Sequence, residues 1–203
     1  MKRTKLYRLL DRLESEWRGC TACALSAQRR KLVHWRGNPQ ASLCVIGEAP
    51  GADEDAVGQP FVGKSGRLLD ELFREVGIDP VEDVFVINTV ACRPPGNRAP
   101  EPEERAACSP RFQALLKYNN PRCLLLLGST AAKLAGIRSV TASRGDRVSV
   151  DCYCYDGEIR EWAAIATFHP SYLLRSGSFG PIRQHMLDDI REAWEAAHET
   201  PRS

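Results

Sequence analysis

The chain has 203 residues, a formal net charge of +2, 27% charged residues and 43% hydrophobic residues, which is ordinary for one soluble globular domain with a real core. The charge is too small to argue nucleic-acid binding by itself, although a local basic face can hide within it. No apolar stretch is long enough to span a bilayer, and the basic start is followed by an amphipathic segment, not a signal core; the expected compartment is the reducing cytoplasm.

Leu6, Leu9, Leu10, Leu13 and Trp17 have the spacing of an amphipathic first helix that ends near Gly19. Cys20-Thr21-Ala22-Cys23 follows, then the basic stretch Gln28-Arg29-Arg30-Lys31 and a lead-in through His34-Trp35-Arg36-Gly37. Leu43-Cys44-Val45-Ile46 reads as a short buried strand. After it runs a loop, Gly47 to Gly66, with five glycines, two prolines and four carboxylates. Leu68, Leu69, Leu72, Phe73 and Val76 then predict a helix that stops at Gly77. Loops of this length between strand and helix sit beyond the carboxyl ends of strands, where ligands bind. A solvated acidic loop is the plainer alternative.

Val84-Phe85-Val86-Ile87 is the second strand and ends at Asn88. Cys92 to Pro100 is too proline-rich for regular structure. Glu101 to Tyr118 has helical composition, with Pro110 expected to break or kink it. Cys123 to Leu127 is the third strand, and Gly128-Ser129-Thr130 opens a short helix ending at Gly136. Residues 139–156 alternate weakly and read as irregular edge strands. Trp162 to Phe168 is the fourth strand, running into His169-Pro170-Ser171-Tyr172-Leu173-Leu174-Arg175. Ile182, Met186, Leu187, Ile190 and Trp194 mark the closing helix. No internal repeat is visible.

Four apolar strands alternating with helices argue for a parallel sheet covered on both faces. Three of them end in a group suited to chemistry: Glu48, Asn88 and His169. Each alone has a dull reading, as loop ligand, turn former or core histidine. Parallel strands bring the three together on one sheet edge, and that convergence is the argument for a site.

The chain has eight cysteines, and in a reducing compartment they are not a disulfide framework. Cys20 and Cys23 form a C-x-x-C pair, while Cys92 and Cys108 flank the proline-rich segment. Four cysteines in irregular segments point to a four-thiolate site, and spacing alone does not separate zinc from an iron–sulfur cluster. Cys44 and Cys123 lie in apolar strands and read as small buried hydrophobes. Cys152 and Cys154 are at most a spare pair.

Three stretches together resemble the motifs of the family 4 uracil-DNA glycosylases, the iron–sulfur branch of that superfamily. They are Gly47-Glu48-Ala49-Pro50-Gly51-x-x-Glu54-Asp55-x-x-Gly58-x-Pro60-Phe61-Val62-Gly63, Cys92-Arg93-Pro94-Pro95-x-Asn97-Arg98-x-Pro100 and His169 to Arg175. The match runs from about Cys20 to the last helix. It implies a single domain over 1–203, an α/β/α sandwich around a four-stranded parallel sheet, and a [4Fe–4S] cluster on Cys20, Cys23, Cys92 and Cys108. It also implies a monofunctional enzyme that flips uracil out of single- or double-stranded DNA and hydrolyses its glycosidic bond, in base excision repair of deaminated cytosine. The expected setting is a monomer in a prokaryotic cytoplasm, used on the nucleoid, with no membrane partner.

By the same resemblance, Phe61 stacks on the base, and Asn88 reads uracil O4 and N3–H. His169 donates to O2, with backbone N–H groups near Glu48 and Ala49 adding to anion stabilisation. The water-positioning carboxylate is Glu48 or Glu54, unranked, with Asp55 behind them; the aspartate that the best-known branch carries is replaced here by Ala49. Leu173 and Leu174 resemble the wedge that fills the gap in the duplex, and Arg175 a phosphate contact. Gln59, Ser65 and Ala91 depart from the family at peripheral positions, the segment 150–159 has no family counterpart, and the arginine-rich insertion of covalent-trapping relatives is absent after Asn88. The other classes considered are a cluster protein that binds DNA without cutting it and a structural zinc protein with a flavodoxin-like core.

Overall fold

The computed structural model describes residues 5–153, 159–177 and 180–199. Six strands form one sheet: β1 (Trp35–Gly37), β2 (Leu43–Gly47), β3 (Val84–Asn88), β4 (Cys123–Leu127), β5 (Arg147–Tyr153) and β6 (Ile159–Thr167). Their order is β1-β3-β2-β4-β6-β5. The inner four, β3, β2, β4 and β6, are parallel, as their unbroken apolar runs require. β1 and β5 pair antiparallel at the two edges. The four-stranded sheet expected from the sequence is therefore the parallel centre of a wider mixed sheet. The lead-in at Trp35 is a three-residue strand, too short to show a period. The segment read as irregular forms a short helix, Val140–Ser143, and then the regular strand β5. Cys154 and the side chain of Cys152 fall outside what is described.

The helices are α1 (Lys5–Trp17), α2 (Ala52–Val57), α3 (Lys64–Glu75), α4 (Pro102–Asn119), α5 (Gly128–Ala132), α6 (Val140–Ser143), α7 (Pro170–Ser176) and α8 (Pro181–His198). Strand side chains alternate between two cores. Cys44 and Ile46 face Leu10 and Leu13 of α1 and Leu115 and Leu116 of α4. Leu43 and Val45 face Leu69, Leu72 and Phe73 of α3 and Met186, Leu187 and Ile190 of α8. Burying such side chains contributes about 1.5–3 kcal/mol each, which is what makes three layers out of these segments. No helix among the described residues is long and apolar enough to cross a membrane.

Two expectations change. The loop after β2 contains α2: Gly51 stands at its N-cap and Glu54, three residues on, accepts a bond from the Gly51 N–H. That spacing is the signature of a helix start. Pro110 does not break α4, which runs on to Asn119. The carbonyl that Pro110 leaves without a donor belongs to Ala106, and both residues are exposed, so water can serve it.

α4 is fixed at both ends. At its start Glu104 accepts from the Glu101 N–H and takes both Nη atoms of Arg98 at 2.8 and 2.7 Å. At its end the buried Asn119 Nδ2 donates to the carbonyls of Pro39 and Ala41, each at 3.0 Å. Replacing Asn119 by alanine strips two buried carbonyls of their donor and should cost about 1–3 kcal/mol. The measurement is the urea midpoint at unchanged slope; an unmoved midpoint would show that the clasp contributes nothing.

Candidate active site

Because Gly47 pairs with Asn88 across β2 and β3, the residues that follow the two strands leave the sheet side by side. His169 follows β6 on the same edge. Above these strand ends lies a cavity of about 650 Å³, lined among others by Glu48, Phe61, Asn88, Ser129 and His169. The convergence expected from the sequence is present.

The floor of the cavity is an aromatic face held by absent side chains. Phe61 is buried and sits at φ +55°, a left-handed conformation unusual for a bulky residue. Its ring lies on Gly47, where a Cβ would come within 2.5 Å of the ring. Its backbone lies on Gly66 in the first turn of α3, where a Cβ would meet the Phe61 carbonyl oxygen at 1.8 Å. Only glycine fits either place. Asn88 is 2% exposed, and its Oδ1 has no hydrogen-bond partner among the described residues. The same oxygen would lie 2.4 Å from a Cβ on Gly47, so it stands beside the Phe61 ring. Behind it, the buried Arg111 donates to the Asn88 backbone carbonyl at 2.7 Å and fixes the strand end.

His169 is the N-cap of α7. Its Nδ1 accepts the Ser171 N–H at 3.1 Å and contacts the Ser171 hydroxyl at 2.8 Å. Burial, with a smaller contribution from the Arg175 charge, lowers its pKa to about 4. A neutral ring whose Nδ1 accepts carries its proton on Nε2. The ring centroid is 5.9 Å from that of Phe61.

The carboxylates divide by what already holds them. Glu54 is saturated: Oε2 accepts from Gly51 N–H at 3.0 Å, and Oε1 accepts from Val62 N–H at 3.0 Å and Gly63 N–H at 2.8 Å. It closes the loop on itself. Asp55 is buried and accepts the Arg30 N–H at 2.9 Å, which ties the loop to the segment after the C-x-x-C pair. Glu48 takes a short bond from the Thr130 hydroxyl on one oxygen, and its backbone carbonyl accepts from Thr89. Its other carboxylate oxygen takes no bond from the described residues. Thr130, from the α5 turn, and the exposed pocket residues Asp53 and Lys64 are additions that sequence reasoning missed; Gly63-Lys64-Ser65 opening a helix was the available signal.

α7 corrects one expectation. Leu173 is fully buried in the core on the α3–α8 side, so it is not free to act as a wedge. Leu174 at 37% and Tyr172 at 44% exposure are the apolar residues this helix offers to solvent. Arg175 and Lys64 are exposed on the cavity rim, whereas Arg98 is committed to Glu104.

Three of the four cysteines come together beside this pocket, not in it. Cys23, Cys92 and Cys108 pack around Leu25 and Val90, and Ala49 of the pocket loop packs on the same cluster. Cys20 is tied in by Arg29, whose Nη1 donates to the Cys20 carbonyl at 2.6 Å and lies 3.7 Å from Cys92 Sγ. Among the described residues no three side chains of His, Cys, Asp or Glu close around a single ion.

A pocket beyond the carboxyl ends of parallel strands is where this class of α/β fold takes its ligands, and the chain belongs to the uracil-DNA glycosylase superfamily, whose family model matches residues 34–197. Type-4 uracil-DNA glycosylases are among the relatives to which it is similar over most of its length. The one from Thermotoga maritima is 40% identical, over 91% of this chain and 93% of its own length. Those from Saccharolobus solfataricus and Sulfurisphaera tokodaii are 35% and 33% identical, over 95% and 90% of this chain and 88% and 84% of theirs.

The His169 geometry makes a direct prediction. The folded pKa lies below the ordinary value of 6.5, so the unfolded chain takes up a proton at this site first as pH falls. The contribution to stability is whole above pH 6.5 and is lost between there and about pH 4. Nitrogen NMR of the ring at pH 6 should show the neutral Nε2–H form. A titration midpoint near 6.5 would contradict the assignment.

Proposed function

We propose that this chain excises uracil from DNA by hydrolysing the glycosidic bond of a flipped nucleotide and leaves an abasic site. The observation that carries this reading is the pairing of an unsatisfied buried acceptor, Asn88 Oδ1, with a neutral donor, His169 Nε2–H, beside the Phe61 face. A target base is out of reach inside the duplex, so it has to be extruded into the pocket. Phe61 supplies a stacking face at little entropic cost. Asn88 Oδ1 accepts from uracil N3–H while its amide nitrogen donates to O4. Cytosine has a lone pair at N3 and donors at position 4, and would leave both groups of Asn88 mismatched, which rejects it strongly.

As the bond to the sugar lengthens, negative charge gathers on the base and positive charge on the sugar. His169 donates to O2 as the base becomes an anion, from a ring that stays neutral and so keeps a proton to share. Glu48 is the carboxylate for the water and the cation, because Thr130 orients one of its oxygens and leaves the other toward the pocket. Glu54 keeps a structural part, since its three backbone bonds occupy it. Lys64 and Arg175 on the rim meet phosphates, which supply affinity without reading sequence. Leu174, with Tyr172 beside it, fills the space the base leaves. The repair of deaminated cytosine, monomeric action and a single function without strand cleavage belong to the same reading.

Cys20, Cys23, Cys92 and Cys108 would hold a [4Fe–4S] cluster. A cluster spaces its thiolates more widely than one ion does, and three cysteines around Leu25 and Val90, with Cys20 tied in through Arg29, suit that larger, negatively charged group. When bound, it supplies a clamp between two distant stretches of chain and no part of the bond cleavage.

Single-turnover release from a uracil oligonucleotide tests the assignment. Glu48→Gln should lower the rate about 10²–10⁴-fold, the range of acid–base groups. Glu54→Gln retains an acceptor and should lose far less rate and more stability. If both variants stay near wild type, the catalytic carboxylate is elsewhere, with Asp53 the next pocket residue to replace. Borohydride should trap no protein–DNA adduct. Anaerobically purified protein should be brown with about four irons per chain; stoichiometric zinc without iron would overturn the cluster.

A further inference from the structure

We infer that Arg29 assembles the four-cysteine centre and tunes it electrostatically. This rests on the proposal that the four thiols hold an iron–sulfur cluster. Arg29 Nη1 donates to the Cys20 carbonyl at 2.6 Å and contacts Cys92 Sγ at 3.7 Å, and its Nη2 reaches the Arg18 carbonyl at 3.4 Å. One rigid fork therefore ties the end of α1 and the C-x-x-C turn to a cysteine 63 positions away in sequence. Beside it, the Val33 N–H donates to the Ala91 carbonyl at 2.9 Å and joins the chain that follows Arg29 to the residue before Cys92.

Among the described residues the charge of Arg29 meets no carboxylate. The described ion pairs engage Arg98 with Glu104, Arg36 with Asp70 and Arg147 with Glu192, but none includes Arg29. It is half-buried and bonded only to neutral groups. A guanidinium placed so, against a ligand sulfur, is set for an anion that arrives with the cofactor. Four thiolates around an iron–sulfur core make that anion.

Two consequences follow from elementary electrostatics. A fixed cation beside a ligand sulfur favours the more negative, reduced cluster over the oxidised one, so it raises the reduction potential. The fork also holds Cys20 and Cys92 in position before iron arrives, which slows loss of the metal afterwards. Lysine matches the charge but not the planar fork, so the two effects can be separated.

The test uses the full chain, purified anaerobically and reconstituted, as wild type, Arg29→Gln and Arg29→Lys. The potential is read by redox titration of the reduced cluster's paramagnetic signal, and retention by the rate of iron loss to a chelator. Arg29→Gln should shift the potential to more negative values and lose iron about 10-fold faster or more, the scale found for partners that orient metal ligands. Arg29→Lys should keep a potential near that of wild type and still lose iron faster. If Arg29→Gln takes up no iron, the Lys variant alone decides: loss at the wild-type rate overturns the inference. Iron-loaded wild type and Arg29→Gln with the same potential and the same retention also overturn it. A wild type without iron fails differently, because it removes the cluster proposal and not the role of Arg29 alone.

Discussion

Phe61 can lie across the end of β2 only because Gly47 and Gly66 offer it nothing but backbone. The ring and its main chain are pressed between a strand end and the first turn of α3, in a left-handed conformation that a phenylalanine does not choose for itself. Strain of this kind costs of order 1–3 kcal/mol and persists where the surroundings over-determine it. Here they do. Glu54 gathers the N–H groups of Val62 and Gly63, just after Phe61, and the Gly51 N–H before α2. One carboxylate thus fixes the two ends of the excursion that delivers the ring. The rest of the pocket takes its shape from that platform: Asn88 stands at its side and His169 over it.

The acidic residues of the loop show how similar side chains acquire different work from their surroundings. Glu54 is used up by backbone donors, Asp55 is buried away from the pocket lining and holds the Arg30 N–H, and Asp53 remains in water. Among the carboxylates that line the pocket, Glu48 alone is both oriented and left with an open oxygen. A side chain that is fully bonded in the resting state has little left to offer a reacting water, and one with no bonds has no fixed direction. Glu48 lies between those limits.

Much of this was legible in the amino-acid sequence, and the misses have physical reasons. The four parallel strands were visible because buried strands need unbroken apolar runs, and their polar terminal residues announced the site edge. β1 was not, since three residues show no period, and β5 was visible only as an irregular edge strand, since a strand with one wet face alternates weakly. α2 was masked by its glycines, although Gly51 and Glu54 had the spacing of a helix start. The rank of Glu48 over Glu54 depends on Thr130, which reaches the pocket from 82 positions away. Leu173 and Leu174 are neighbours with identical chemistry, and only the rotation of α7 decides which one enters the core. The arrangement of the four cysteines was legible as two halves. The guanidinium between them was not, because nothing in a basic run marks one arginine from the next.

The pocket loop and the cysteine region share a wall. Ala49 packs on Cys92 and its neighbours, and Asp55 holds the backbone of the segment that follows the C-x-x-C pair. Two sites that share packed atoms are coupled to the extent that each prefers a different position of those atoms. Any base that prefers one position of Ala49 adds the same free energy to the cysteine arrangement that goes with it, and the reverse holds in equal measure. A pocket ligand that favours one position of Ala49 would thus be felt at the cysteines, and a change at the cysteines would be felt in the pocket to the same extent.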